Sequence, residues 1–89
     1  MVERKVILIN ELGLHARAAA KLVHVASSYT CAVTVEHGGR EVDAKSILGL
    51  LLLAAPVESE LLVRCEGGDE ESALEAIDEL ISSRFGELN

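Results

Sequence analysis

The sequence predicts an α+β fold of two layers, a sheet with helices on one face, in the order β-α-β-β-α-β-α. Three observations carry this prediction. Short β-branched runs alternate with runs of helical period. Gly38-Gly39 joins two neighbouring strands as a hairpin. The first and last helices each carry one apolar stripe, so a single sheet face needs cover. At 89 residues and 49% hydrophobic content, the chain (residues 1–89) is one domain with one core. Tyr29 and Phe85 are its sole aromatics, which leaves Leu, Ile, Val and Ala to build that core.

Val2 to Ile9 is rich in β-branched residues and reads as the first strand. Asn10 to Gly13 is a loop, and a helix follows from Ala16 to about Ser28. Ala19, Leu22, Val23 and Ala26 form its apolar stripe, with Arg17, Ala20, Lys21 and His24 opposite. Cys31 to His37 and Arg40 to Asp43 are the hairpin strands. Ser46 stands at an N-cap position before the apolar run Ile47 to Ala54, which Pro56 closes. In the fourth strand, Glu60 to Glu66, Leu61, Val63 and Cys65 share one face, with Leu62 and Arg64 on the other. Gly67-Gly68 ends that strand, and Asp69 is placed to cap a last helix running to about Arg84. Its stripe is Ala73, Leu74, Ile77, Leu80 and Ile81.

Charge narrows the function classes. Fifteen acidic against eight basic residues give a formal charge of −7, without aromatic platforms. That argues against nucleic-acid binding, which relies on basic patches and stacking. The longest apolar stretch, Ile47 to Val57, is too short to span a bilayer. Met1-Val2-Glu3-Arg4-Lys5 has no leader pattern, and Cys31 and Cys65 lack CxxC spacing. The expectation is a cytoplasmic protein with two reduced thiols.

Gly13-Leu14-His15-Ala16-Arg17 is the stretch that points to chemistry. A glycine turn delivers His15 to a helix start, where unpaired amides and the helix dipole favour anions. The neutral, nucleophilic form of histidine is well populated near pH 7. Arg17 offers a planar fork of donors to phosphate oxygens, and the amides of Ala16 and Arg17 point at the same place. Together these residues suit a phosphoryl carrier. The motif holds no carboxylate to activate water, and no role is read for nearby Glu11.

Over essentially its whole length the chain resembles the histidine-containing phosphocarrier (HPr) family of the bacterial phosphoenolpyruvate-dependent phosphotransferase system. The resemblance rests on Gly13-Leu14-His15-Ala16-Arg17, on Lys45-Ser46-Ile47 followed by Gly49, and on Gly68-Asp69-Glu70-Glu71. It implies an open-faced sandwich with an antiparallel sheet ordered 1-4-2-3 and three helices on one side, which brings Cys31 near Cys65. It also implies a relay rather than an enzyme: Enzyme I phosphorylates His15 at Nδ1, Arg17 stabilises the phosphoryl group, and a histidine of an IIA-type protein receives it. No cofactor or metal is implied. The family normally has proline after the arginine; this chain has Ala18. Alanine suits a first helical turn and frees one N–H, so the fold should survive while the set of His15 could differ.

Two regulatory and docking readings follow. If Leu50 and Leu53 face the core, Ile47, Leu48 and Leu51, with Gly49 between them, are left at the surface for partners; the alternative is that all are core. Each such side chain buried in a complex contributes roughly 1.5–3 kcal/mol. Ala20, Lys21, His24 and Ser27, with Arg17 and Lys45, add a basic rim that suits acidic partner faces. Ser46 caps its helix. In many family members the aligned serine is phosphorylated by a dedicated kinase (HPr kinase/phosphorylase), which would place negative charge inside the docking surface.

Ile7 and Ile9, with Leu62, lie on the open sheet face as a weaker signal for self-association; a monomer is the expectation. Among competing functions, a small ligand-binding regulatory domain gives no reason for the His15–Arg17 pair. A metal site built from His15, His24 and His37 lacks ligand spacing. A histidine enzyme would need a pocket and a second reacting group. A nitrogen-regulatory or signalling paralogue within the family is the remaining alternative.

Overall fold

A computed structural model describes residues 1–88. Its elements are β1 (Val2–Ile7), α1 (Ala16–Ser27), β2 (Ala32–His37), β3 (Arg40–Asp43), α2 (Ile47–Leu52), β4 (Glu60–Glu66) and α3 (Glu70–Ser82), with a 3-10 turn at Arg84–Gly86. The sheet is antiparallel in the order β1-β4-β2-β3, and the core lies between it and the three helices. The expected element order and sheet topology are both present.

Period-2 alternation sets the sheet's two faces. Val6, Leu61, Val63, Cys65, Val33 and Val35 point into the core, where they meet Leu22 and Ala26 of α1 and Ile77 and Ile81 of α3. The other face carries Arg64, whose guanidinium reaches Glu3 (2.8 Å), Glu36 (3.3 Å) and Glu41 (2.5 Å) across three neighbouring strands. At the covered edge Arg4 of β1 forks to Glu75 and Asp78 of α3, both at 2.6 Å. The hairpin turn uses Gly38 (φ 60°) and Gly39 (φ 83°), the left-handed pair that a two-residue turn requires.

Several boundaries differ from expectation for identifiable reasons. β1 stops at Ile7; beyond it Leu8 donates to the Ser59 carbonyl and accepts from Glu58, so pairing continues only irregularly to that point. Cys31 falls outside β2 because its N–H goes to the Asp69 carboxylate at 2.9 Å. α2 ends at Leu52, and Ala54 turns left-handed at φ 48°.

Asp69 does not cap α3 with its side chain. It accepts instead from the amides of Thr30 (2.8 Å) and Cys31, which hold its carboxyl below the usual aspartate range against the cost of burial. Glu70 reaches back to the Gly67 amide at 3.1 Å. In α1, Ala18 is fully buried and Val23 only partly so, which turns the apolar stripe about the helix axis toward the Ala18–Leu22–Ala26 line.

Candidate functional site at the start of helix α1

The loop before α1 is built from backbone geometry. Gly13 adopts φ 66°, and a Cβ there would lie 2.6 Å from the Ala55 carbonyl oxygen, so the turn needs glycine. Its N–H bonds to the Asn10 carbonyl (3.0 Å), and Leu14 donates to Ala55 (2.9 Å), tying the loop to the segment after α2. His15 is thereby the N-cap residue in extended conformation (φ −85°, ψ −179°). Its side chain makes no capping bond and is about a quarter exposed. The first intrahelical bond runs from Ala19 N–H to the His15 carbonyl at 2.8 Å. The amides of Ala16, Arg17 and Ala18 are left without intrahelical acceptors, the ready-made anion site expected of a helix start.

Arg17 is exposed, and among the described residues its guanidinium has no carboxylate within ion-pair distance. It lines a shallow cleft with Glu11, Lys21, Gly86 and Glu87. Lys21 is not a free rim charge, because its ammonium donates to the Phe85 carbonyl at 2.6 Å. Lys45 is likewise engaged with the Tyr29 carbonyl at 2.9 Å. Ala20, His24 and Ser27 are exposed along α1, and Ala20, Lys21 and His24 line a groove against Leu80 of α3. Thus the expected basic rim is partly spent on internal contacts.

Two site residues were not read from the sequence. Glu87 lies beyond the last helix, yet its carboxylate meets His15 Nε2 at 2.5 Å and Asn10 Nδ2 at 3.2 Å. Asn10 is fully buried, and its Nδ2 also donates to the Gly13 carbonyl at 2.7 Å. Burial pushes the Glu87 carboxyl up, but the hydrogen bonds with His15 and Asn10, and the charge of Lys21, hold it below the usual glutamate range. An asparagine three residues before a turn glycine carries a local signal for Asn10. Glu87 is 72 positions from His15, so no spacing could reveal it.

On α2, Ser46 caps as expected, accepting from the Gly49 amide at 3.1 Å. Leu50 and Leu53 are buried, whereas Ile47 (41% exposed), Leu48 (74%), Leu51 (38%) and Leu52 (63%) are open. Gly49 is half-buried, its Cα facing the Val42 side chain. α1 and α2 pack side by side. Ile7 and Ile9 are exposed and Leu62 is half-buried on the open sheet face. Among the described residues no His, Cys, Asp or Glu cluster could hold a metal ion, and no helix is long and apolar enough to cross a membrane.

A histidine at an anion-binding helix start, on an open-faced sandwich of this topology, defines the class of small phosphoryl-carrier domains. Comparison with known proteins agrees. The family model for the PTS HPr component phosphorylation site matches residues 2–83. Phosphocarrier protein HPr of Cupriavidus necator is 46% identical over 87 residues, covering 98% of both chains. Phosphocarrier protein NPr of Shewanella violacea is 40% identical, covering 99% of this chain and 97% of its own. A crystal structure of HPr from Thermoanaerobacter tengcongensis superposes with a TM-score of 0.96 at 39% identity, with both chains fully covered. A dimer of HPr from the same organism matches at 0.79, with 40% identity and coverage of 98% and 100%. The chain belongs to the PTS HPr family.

Proposed function

We propose that this chain is a phosphocarrier that accepts a phosphoryl group from phospho-Enzyme I on His15 Nδ1 and passes it to a histidine of an IIA-type protein. The observation that carries the proposal is the placement of His15 at the N-cap of α1, with three amides that have no intrahelical acceptor and an Arg17 guanidinium that, among the described residues, pairs with no carboxylate. A loose phosphoryl-transfer transition state needs in-line positioning and charge stabilisation, which amides and guanidinium supply.

Partner docking uses the exposed Ile47, Leu48 and Leu51 of α2 and the neighbouring Arg17, Ala20, Lys21, His24 and Ser27 of α1. Two or three buried aliphatic side chains give affinity that still allows release after transfer. The carrier works as a single chain, with the charges of Arg64, Glu3, Glu36 and Glu41 on the open sheet face opposing apolar pairing of two copies there. Ser46 is the regulatory position. A phosphate there would be tolerated at the start of α2 while setting negative charge between the docking residues.

A pulse of phosphoenolpyruvate and Enzyme I, followed by a chase with an IIA-type protein, tests the relay. Label should enter this chain first and leave it when the acceptor is added; label that stays on the chain contradicts a carrier role. The NPr relative supports a second reading, a carrier serving a signalling branch rather than sugar uptake. Preference among IIA-type acceptors in the same chase separates the two.

A further inference from the structure

We infer that Glu87 is a positioning residue for phosphoryl transfer, holding the His15 proton on Nε2 and facing the positive charge the ring acquires when Nδ1 is phosphorylated. This rests on the carrier reading of His15.

For a neutral ring the geometry leaves one consistent tautomer. An ionised carboxylate can only accept hydrogen bonds, so at 2.5 Å from Glu87 Oε2 it is His15 Nε2 that donates. Nδ1 then keeps its lone pair, and among the described residues it has no hydrogen-bond partner. Asn10 Nδ2 holds the other Glu87 oxygen, so the carboxylate is gripped from two sides.

The chain goes to some length to bring Glu87 there. Arg84 (φ 59°), Phe85 (φ 56°) and Gly86 (φ 75°) are consecutive left-handed residues, a conformation that non-glycine residues adopt only when their surroundings impose it. Phe85 is buried in the core and anchors the turn from one side. The Lys21 ammonium, donating to the Phe85 carbonyl at 2.6 Å, anchors it from the other. The left-handed turn held by these two anchors delivers the Glu87 carboxylate to the His15 ring.

The chemical step balances without moving a proton. The Nδ1 lone pair forms the N–P bond as the bond from phosphorus to the donor breaks and the donor leaves with that electron pair. The ring, already protonated at Nε2, becomes a phospho-imidazolium with one positive charge opposite the Glu87 carboxylate. On donation the Nδ1–P bond breaks, its electrons return to Nδ1, and the Nε2 proton stays where it was. Arg17 and Lys21 from α1 and Glu11 from the loop border the same cleft as Glu87, and among the described residues Glu87 is the charged group hydrogen-bonded to the ring. The arrangement parallels the carboxylate that orients a histidine and stabilises its imidazolium in hydrolase triads.

Chemical phosphorylation with phosphoramidate tests this without any partner protein, since neutral ammonia leaves as the N–P bond forms on the ring. Phosphorus NMR distinguishes Nδ1- from Nε2-phosphohistidine and follows the titration of the product. Wild type should give the Nδ1 product alone. Glu87→Ala should give a mixture of the two. Glu87→Gln, which keeps an acceptor but removes the charge, should keep the Nδ1 product while its titration midpoint falls by about one pH unit, the lower end of the effect of a nearby opposite charge. Folding of each variant is checked by thermal unfolding. Folded variants with the wild-type product and midpoint would overturn the role of Glu87. Failure of Enzyme I to phosphorylate wild type would instead overturn the carrier reading, so the two are separable.

Discussion

Arg17 and Ala18 are adjacent in the first turn of α1, yet they belong to different parts of the molecule. Arg17 is exposed beside the cleft that holds Glu87, whereas Ala18 is fully buried. Alanine in place of the proline that the family resemblance implies leaves an additional N–H in the first turn of the helix, within the buried side of α1. The fold accepts it because that position has no intrahelical acceptor to lose or gain. Arg17 matters through its shape as well as its charge. A lysine keeps the charge but not the planar fork, so Arg17→Lys should slow phosphoryl acceptance from Enzyme I by about tenfold or more, in line with the roughly 1.5–3 kcal/mol of a charge-assisted hydrogen bond. Single-turnover phosphorylation at saturating Enzyme I measures this, and an unchanged rate would place Arg17 outside the transfer step.

At the scale of elements, the loop between β1 and α1 is the part on which the site depends. Gly13 is held at φ 66° with its Cα against Ala55 and Pro56. Gly13→Ala combines a disfavoured backbone region with a backbone clash, and should cost about 2 kcal/mol or more of stability. It should also displace His15. Denaturant unfolding reads the first effect and phosphorylation rate the second; a variant equal to wild type in both would show that the loop relaxes freely.

This loop also shows what a sequence reveals about a site and what it does not. His15, Arg17 and the glycine turn are contiguous, so local chemistry exposes them. Ser46 is legible for the same reason, since a serine before an apolar run is a capping signal whose geometry the structure shows. Asp69 looks equally like a cap, but two amides of the segment before β2 draw its carboxylate away. That outcome depends on tertiary neighbours, as do the burial of Ala18 and the meeting of Glu87 with His15. The strands and helices were legible because each buries one face at its own period. Their exact ends were not, because long-range hydrogen bonds such as Leu8 to Ser59 decide them.

At the scale of the whole molecule, a core almost without aromatic residues closes around two neighbouring thiols. Cys65 is fully buried, and burial, together with Cys31 beside it, pushes its thiol up to about 11. In the unfolded chain the same thiol ionises near the ordinary cysteine value of 9.0. The folded state therefore holds the proton more tightly, and this contribution is fully present below about pH 9. Stability should fall as pH rises from about 9 through about 11, by about 2 kcal/mol from this group. Cys65→Ser, whose hydroxyl does not ionise in that range, should lose this part of the pH dependence even though it is less stable at neutral pH. Urea midpoints across pH 7 to 11 check it, and equal slopes for both proteins would contradict the assignment.

The proposed relay would place its demands on the same whole molecule. The sheet supplies a rigid base, α1 presents His15 and Arg17, α2 presents an open aliphatic patch beside them, and the turn after α3 returns Glu87 to the histidine. The most direct measurement of this account is the intact mass of wild type and of His15→Ala after incubation with Enzyme I and phosphoenolpyruvate. Wild type should gain one phosphoryl group that is lost in acid, and His15→Ala should gain none. No acid-labile phosphoryl group on wild type, or equal labelling of the two proteins, would contradict it.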